Sequence, residues 1–422
     1  MLQTVRSVLP LVLGATVLQV GTGLLGTFIA VRMSFEGFDE LAIGGTGSAY
    51  FGGFILGALL VMRPVRRVGH IRAFAALAAL MCCATLLFAL AVHPLAWAFL
   101  RFVNGLVLSG LFVITESWLN ERADNASRGR VFALYMVANY AAVGGSQFLL
   151  PLYPVAGNEH FILVAIFYAL SLLPVALSVQ PAPDPYAGER LSLAALYRIS
   201  PLGVLGCIVC GLVNAAFYAL APVFVLGVGF DADAVSTFMG VAVLAGLILQ
   251  WPLGKLSDVF DRRSILVLIS VVSALLAGTI AMLGGERLWL LAVLALAYGG
   301  TAFTVYGIAV AHANDFLSPA QMVPASAGLL IAYGIGAVVG PSLGAGAMTL
   351  AGAPGLFFYI AAVFAALALF GLYRMRVRPA VPNAEQIPFV PVPRTSPVVG
   401  ALDPRAEPET AAEDQAAAST SG

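Results

Sequence analysis

The residues of this 422-residue chain that could do chemistry are ionic and polar side chains set into apolar runs. Between Leu95 and Arg130 a long hydrophobic stretch is interrupted by Arg101, Asn104 and Glu116. An ionised side chain at mid-bilayer costs about 2.5–3.5 kcal/mol on insertion scales, so such residues mark sites rather than accidents. On an ideal helix Arg101, Gly105, Leu108 and Phe112 share one stripe, and Glu116 lies within roughly 60° of it. At 1.5 Å per residue the two charges stand about 22 Å apart, too far to pair with each other. Isolated charges and amides in oil can hydrogen-bond a solute, close an ionic lock or carry a proton. Hydrolytic or redox chemistry would need paired acids, clustered histidines or a nucleophile elbow. The four histidines are scattered at 70, 93, 160 and 312. No catalytic residue, metal set or cofactor is expected, and the chain reads as a non-enzyme.

Composition explains why these residues must be positioned by membrane helices. The chain is 60% hydrophobic and 10% charged, with mean hydropathy +0.96; soluble domains carry about a quarter charged residues. Formal net charge is zero, which removes the basic footprint that nucleic-acid binding needs. Cys82, Cys83, Cys207 and Cys210 fall inside apolar runs and read as small buried residues, the Cys207-x-x-Cys210 spacing notwithstanding.

A span needs about 20 apolar residues to cross a hydrocarbon core of about 30 Å. Runs of that length begin near Val8, Leu41, Ala73, Leu95, Val131 and Phe161, and again near Pro201, Val235, Ser264, Leu288, Ala325 and Gly355. The expectation is an all-α integral membrane protein with twelve transmembrane helices in two six-helix halves. Residues 1–180 form the first bundle, 181–200 a cytoplasmic connector, 201–376 the second bundle and 377–422 a disordered cytoplasmic tail. Arginine and lysine crowd alternate loops: Arg63, Arg66, Arg67 and Arg72; Arg122, Arg128 and Arg130; Lys255, Arg262 and Arg263; Arg374, Arg376 and Arg378. By the positive-inside rule those loops and both termini are cytoplasmic.

The halves look related. Gly254-Lys-Leu-Ser-Asp258-Val-Phe-Asp261-Arg262-Arg263 lies between the second and third spans of the second set, where the first set has Val65-Arg66-Arg67-Val-Gly69-His70-Ile-Arg72. The Gly-x-x-x-Asp-x-x-x-Arg-Arg loop and Arg101-x-x-x-Gly105 make the chain resemble the major facilitator superfamily over residues 8 to 376. Glu116-Ser117-Trp118-Leu119-Asn120, Arg128-Gly129-Arg130 and the His312-Ala-Asn314-Asp315 turn resemble its YcaD-type bacterial branch. Two departures stand out: Met62 and Arg66 replace the glycine and aspartate of the first-half loop, and Gly144-Gly145 lacks a following proline. The resemblance implies a monomeric, multi-pass protein of the bacterial inner membrane, with lipid around it, a small-molecule substrate and protons as a candidate coupling ion.

Polar residues at mid-span are the candidate substrate site. Gln19 lies on the first span; Tyr140, Gly144 and Gln147 follow i, i+4, i+7 on the fifth; Asn214 and Tyr218 stand four apart on the seventh; Tyr298 is on the tenth. In the family resembled, spans 1, 4, 7 and 10 line the cavity, which adds Arg101 and Asn104 and favours Gln19, Asn214, Tyr218 and Tyr298. Each could equally be a helix-to-helix hydrogen bond, worth about 0.6 kcal/mol on average. The candidate gate comprises Glu116, Gly254, Asp258, Arg262, Arg263, His312 and Asp315. There, carboxylates and guanidiniums at span ends could latch one side shut, or the arginines could simply snorkel to lipid phosphate. The reading is a secondary active transporter that moves a small organic solute by alternating access. A non-transporting membrane sensor or an integral-membrane enzyme is the alternative.

Overall fold

The computed structural model describes residues 2–122, 128–177, 191–382 and 386–396. All regular elements among them are helices: α1 (Leu2–Phe35), α2 (Glu40–Leu60), α3 (Met62–Val68), α4 (His70–Leu87), α5 (Pro94–Arg122), α6 (Arg128–Ser146) running into the 3-10 turn Gln147–Leu152, α7 (Glu159–Ala176), α8 (Leu193–Ile199), α9 (Pro201–Gly227), α10 (Ala232–Val259), α11 (Arg262–Leu283), α12 (Leu288–Ala302), α13 (Thr304–Asn314), α14 (Pro319–Ala351) and α15 (Gly355–Val377). Eleven spans are long and apolar enough to cross a membrane, with α12 and α13 together making one of them. The fifth expected span is α6 with its 3-10 extension, so the twelve-span expectation accounts for every long element. The expected connector falls partly on residues 178–190, outside the described residues.

The helices outrun the apolar runs that announced them, because helix ends are set by caps rather than by hydropathy. α10 continues through Gly254 and Asp258 to Val259, and the Asp261 side chain then accepts from the Arg263 N–H to start α11. Ser318 and Gln321 form a capping box that starts α14.

Glycine determines which helices touch backbone to backbone. A Cβ on Gly105 would stand 1.9 Å from the Tyr50 carbonyl oxygen, and one on Gly53 1.9 Å from that of Phe102, so α2 and α5 meet without side chains between them. Gly299 against Ala242 brings α12 onto α10, the repeat-related pair. Gly211 with Tyr333, and Gly336 with Ile208, do the same for α9 and α14, as Gly23 with Val143 does for α1 and α6. Small residues allow this close approach, and dispersion then holds the helices where lipid offers no hydrophobic drive.

The two helix sets meet most extensively along two repeat-related contacts, and α1 and α2 also lie against α9. α2 lies on α14, with Gly44 and Gly47 against Pro341 and the Ser48 and Ser342 hydroxyls 2.8 Å apart. α6 and its 3-10 turn lie on α10, where Gly240 receives the Phe148 ring and the Ser236 hydroxyl donates to the Gln147 carbonyl at 2.8 Å. Ser48 and Ser236 lie within ten residues of Glu40 and Asp231, toward the acidic-loop end. Toward the other end, where Arg66 and Arg262 lie, residues 386–396 run between the sets.

Gly105→Ala must push α2 and α5 apart. Overpacking of this kind costs about 1–3 kcal/mol, so the purified variant should melt at a lower temperature in detergent. An unchanged melting temperature would contradict the backbone contact.

Candidate functional site: a cavity between the helix sets

A cavity of about 220 Å³ lies where the two sets diverge. Gln19, Thr22 and Thr27 of α1, Tyr50 and Phe54 of α2, Arg101 of α5, Asn139, Tyr140 and Gln147 of α6 and its extension, Tyr218 of α9 and Tyr333 of α14 line it, together with Pro393, Arg394 and Thr395. Five of the eight expected substrate residues therefore share one space.

Arg101 carries the charge of this cavity from the first set. Its guanidinium carbon lies 4.3 Å from the centre of the Tyr50 ring, a desolvated cation–π contact worth about 2 kcal/mol or more. No acid among the described residues forms a salt bridge with it, and its Nε completes no hydrogen bond. The Gln19 Oε1 is likewise buried without a donor. The Arg101 Nε and the Gln19 Oε1 thus lack a hydrogen-bond partner, which is what a solute contact would supply.

The other expected residues behave differently. Gln147 is occupied: its Oε1 accepts from Thr27 at 2.5 Å, and its Nε2 donates to the carbonyls of Gly23 at 3.1 Å and Val143 at 2.9 Å. It ties α6 to α1 at the cavity wall. Asn104 turns away from the cavity, its amide 3.4 Å from the Met81 sulfur on α4. Tyr298 stands outside the cavity in a cluster with Phe217 and Phe357, at centroid distances of 5.5 and 5.8 Å. Asn214 is wholly buried one turn from Tyr218 and is not among the lining residues. Tyr218 does face the cavity and stacks on Phe303 at 5.6 Å with a 3° interplanar angle, at the break between α12 and α13. Asn104 and Tyr298 were expected at the cavity because spans 4 and 10 line it in the family resembled. The twist of each helix against its neighbours decides otherwise.

At the arginine-rich end the candidate gate residues form a charge cluster inside the second set. Arg262, 1% exposed, donates to Asp258 at 2.7 Å and to Asp315 at 2.5 Å, and also to the carbonyls of Ala311 at 3.2 Å and Ile387 at 2.9 Å. One guanidinium thus joins α10, α11 and the end of α13. Arg263 binds Asp261 at 3.0 Å and donates to the Arg378 carbonyl at 2.6 Å, so it holds the start of the tail rather than reaching for lipid. Burial opposes ionisation of Asp261, but the hydrogen bonds and charge of Arg263 outweigh it and hold this carboxyl below the ordinary carboxylate range. His312 is buried edge-on to Phe316, ring centroids 5.3 Å apart, and reads as a packed polar cap.

The tail is where expectation and structure part. Its composition predicted disorder throughout 377–422, yet residues 386–396 pack between the helix sets. The Ile387 N–H donates to Asp315 at 3.2 Å and the Phe389 N–H to Asp258 at 2.8 Å. The Phe389 ring fills the space above Gly254, where a Cβ would stand 2.1 Å from it. Gly254, one of the candidate gate residues, makes room for this ring. Further in, the Thr395 and Ser396 hydroxyls donate to the two oxygens of Glu116, whose Oε1 also accepts from Tyr135 at 2.8 Å. Glu116, expected to meet an arginine, is met by hydroxyls. The reason is entropic as much as chemical: a segment with Pro388, Pro391 and Pro393 is stiff before it docks, and loses less on ordering than its polarity suggests.

The comparisons agree with this architecture. The sequence model described as "Major Facilitator Superfamily" matches residues 11–323 and again 202–406. An uncharacterized MFS-type transporter of Enterobacter sp. (strain 638) is 29% identical over 360 residues, 85% of this chain and 93% of that protein. The uncharacterized MFS-type transporter YcaD of Escherichia fergusonii is 28% identical over 360 residues, with the same shares covered. Among solved structures, nucleoside transporter NupG superposes with a TM-score of 0.75 at 14% identity, over 88% of this chain and 99% of that one.

Breaking the buried cluster by Arg262→Met leaves Asp258 and Asp315 without their cation. Removing one partner of a buried pair costs about 3–5 kcal/mol, so the variant should melt well below the parent, with Arg262→Lys intermediate. Equal melting temperatures for Met and Lys would show that the charge contributes nothing. Two helix sets, a family model spanning nearly the whole chain and transporter-fold neighbours give one conclusion: this chain is a multi-pass membrane transporter of the major facilitator superfamily.

Proposed function

We propose that the protein moves a small organic solute by alternating access, the two helix sets rocking about the cavity that holds Gln19, Arg101, Tyr140 and Tyr218. The observation that carries this reading is the asymmetry of the contacts between the sets. They touch at α2–α14 and at α6–α10 toward the acidic-loop end, while the opposite end is parted by the inserted segment. Arginine placement makes the parted end cytoplasmic and the closed end external, in a bacterial inner membrane with both termini inside. The described arrangement then corresponds to the inward-open state.

The cavity supports the solute reading through its mixed walls. Aromatic faces from Tyr50, Phe54, Tyr218 and Tyr333 offer stacking area, while the unpaired Gln19 oxygen and Arg101 guanidinium supply directional contacts. Pockets that take small organic ligands combine a mostly apolar lining with a few placed polar groups. The repeat supports alternating access: α2–α14 and α6–α10 are equivalent contacts, and parting them together would open the far end while leaving each bundle intact. The Arg262–Asp258–Asp315 cluster lies wholly within the second set and would travel with it as one body. Proton coupling rests on Glu116 as the candidate carrier, since arginine does not release protons at physiological pH.

Ser48 and Ser342 face each other across the end that has to open. In the double variant Ser48→Cys/Ser342→Cys, oxidation should join the sets and stop uptake into reconstituted vesicles of a solute selected by thermal-shift screening, and reductant should restore it. Full uptake by the cross-linked protein would refute alternating access. The same vesicles report coupling: solute flux that shifts internal pH, and ceases to do so in Glu116→Gln, assigns the proton to that carboxylate. Flux with no pH change in either protein would remove proton coupling.

A further inference from the structure

Arg394 is the residue whose placement is hardest to explain as tail packing. It sits about as deep as a side chain can reach from the arginine-rich end. Its guanidinium carbon is 5.6 Å from the centre of the Tyr333 ring, 5.7 Å from Tyr306 and 5.9 Å from Phe303, and its Nη2 donates to the Tyr140 hydroxyl at 3.3 Å. All three rings fall within the roughly 6 Å over which a cation feels an aromatic face. Tyr140 belongs to the first set and the three rings to α13, α14 and the break before α13, so the cage is built by both halves of the molecule. One and two residues further on, the Thr395 and Ser396 hydroxyls donate to the fully buried Glu116 carboxyl group. Anchoring depends on Ile387 and Phe389, which bind the Asp258–Arg262–Asp315 cluster, with the Phe389 ring against Gly254 and Gly307.

We infer that residues 386–396 are a tethered occupant of the solute path, and that the cage they fill with Arg394 takes a free organic cation, a guanidinium or alkylammonium, when the segment withdraws. The chemistry of the emptied site supports this class. Withdrawal leaves aromatic faces, the Tyr140 hydroxyl as acceptor, and a Glu116 carboxylate that has lost the Thr395 and Ser396 hydroxyls. Aromatic faces with a buried carboxylate nearby suit a cation. Arg101 lies in the same cavity with its charge over Tyr50, so an anionic solute is the competing class and the test includes one.

The tether determines what should be measured. A segment covalently tethered to the site it fills competes at an effective concentration that reaches the millimolar range for short tethers. A free ligand then binds with its intrinsic affinity divided by the vacant fraction of molecules; for a vacancy of about one in ten the loss is about tenfold. Loosening the segment should recover it.

The experiment uses full-length purified protein and butylguanidinium as the cation, with neutral butylurea and anionic butyrate as comparators, read by equilibrium dialysis. Arg394→Ala empties the cage directly. Phe389→Ala leaves the cage chemistry intact and weakens only the anchor. Both variants should bind butylguanidinium about tenfold more tightly than the parent, with butylurea and butyrate unaffected. Unchanged affinity in both variants overturns the inference, as does a gain confined to butyrate. The inference rests on the transport reading only in taking the cavity as the solute path. A failure here with vesicle uptake still blocked by the Ser48→Cys/Ser342→Cys cross-link would sink the cation site alone.

Discussion

The buried guanidinium of Arg262 is the interaction on which the arginine-rich end of the molecule depends. It is held by two carboxylates, from Asp258 on α10 and Asp315 beyond α13, and by two carbonyls, from Ala311 and Ile387. A charge removed so completely from water must have most of its hydrogen-bonding capacity met, and the acceptors around its two Nη groups do that, while its Nε completes no hydrogen bond. Because the acceptors come from different parts of the chain, satisfying this one charge orients two spans and the returning tail together. The Asp258 and Asp315 carboxylates in turn receive the backbone N–H groups of Phe389 and Ile387, so the ion cluster is also the dock for the tail.

At the other end the contacts are of a different kind. Gly44, Gly47 and Pro341, the Ser48–Ser342 pair, the Ser236 hydroxyl on the Gln147 carbonyl, and Phe148 in the space left by Gly240 make a closure from small residues and two hydroxyl contacts rather than from charge. Such a surface can separate without leaving an ion stranded in a low dielectric, because each serine can turn to water. The ionic cluster sits within one helix set and would have no need to break were the sets to part. The division of labour is physically economical: charge holds the bodies together internally, and packing of small groups holds them to each other.

Between the two ends the cavity collects groups that the surrounding helices do not satisfy. Gln147 was read as a substrate residue and serves instead as a tie between α1 and α6. Gln19 and Arg101, read the same way, keep unsatisfied atoms inside the cavity. The distinction lies in partners: an amide with Thr27 and two carbonyls within reach is structural, and one without them is available to a solute. Asn139 and Tyr50 line the same space and had drawn no attention, Tyr50 because a tyrosine among Gly, Phe and Leu reads as ordinary packing until its ring is found beneath Arg101.

By itself the sequence determined the solvent, the number of spans, their pairing into a repeat and the family, because each follows from local composition: runs of apolar residues, alternating arginine-rich loops and short motifs such as Gly254 to Arg263. It also carried the ion cluster in outline, since Asp258 and Arg262 stand four residues apart in one loop motif. Tertiary structure alone decided which polar residues share the cavity, because a helix can rotate by a few tens of degrees about its axis with no change in its hydropathy, and that rotation removed Asn104 and Tyr298 while keeping Gln19 and Tyr218. It alone placed Phe389 on Gly254 and Arg394 among Tyr140, Tyr306 and Tyr333. A proline-rich tail has no period from which a docking site can be read, and its partners lie tens to hundreds of residues away in sequence, where only the folded chain brings them within reach.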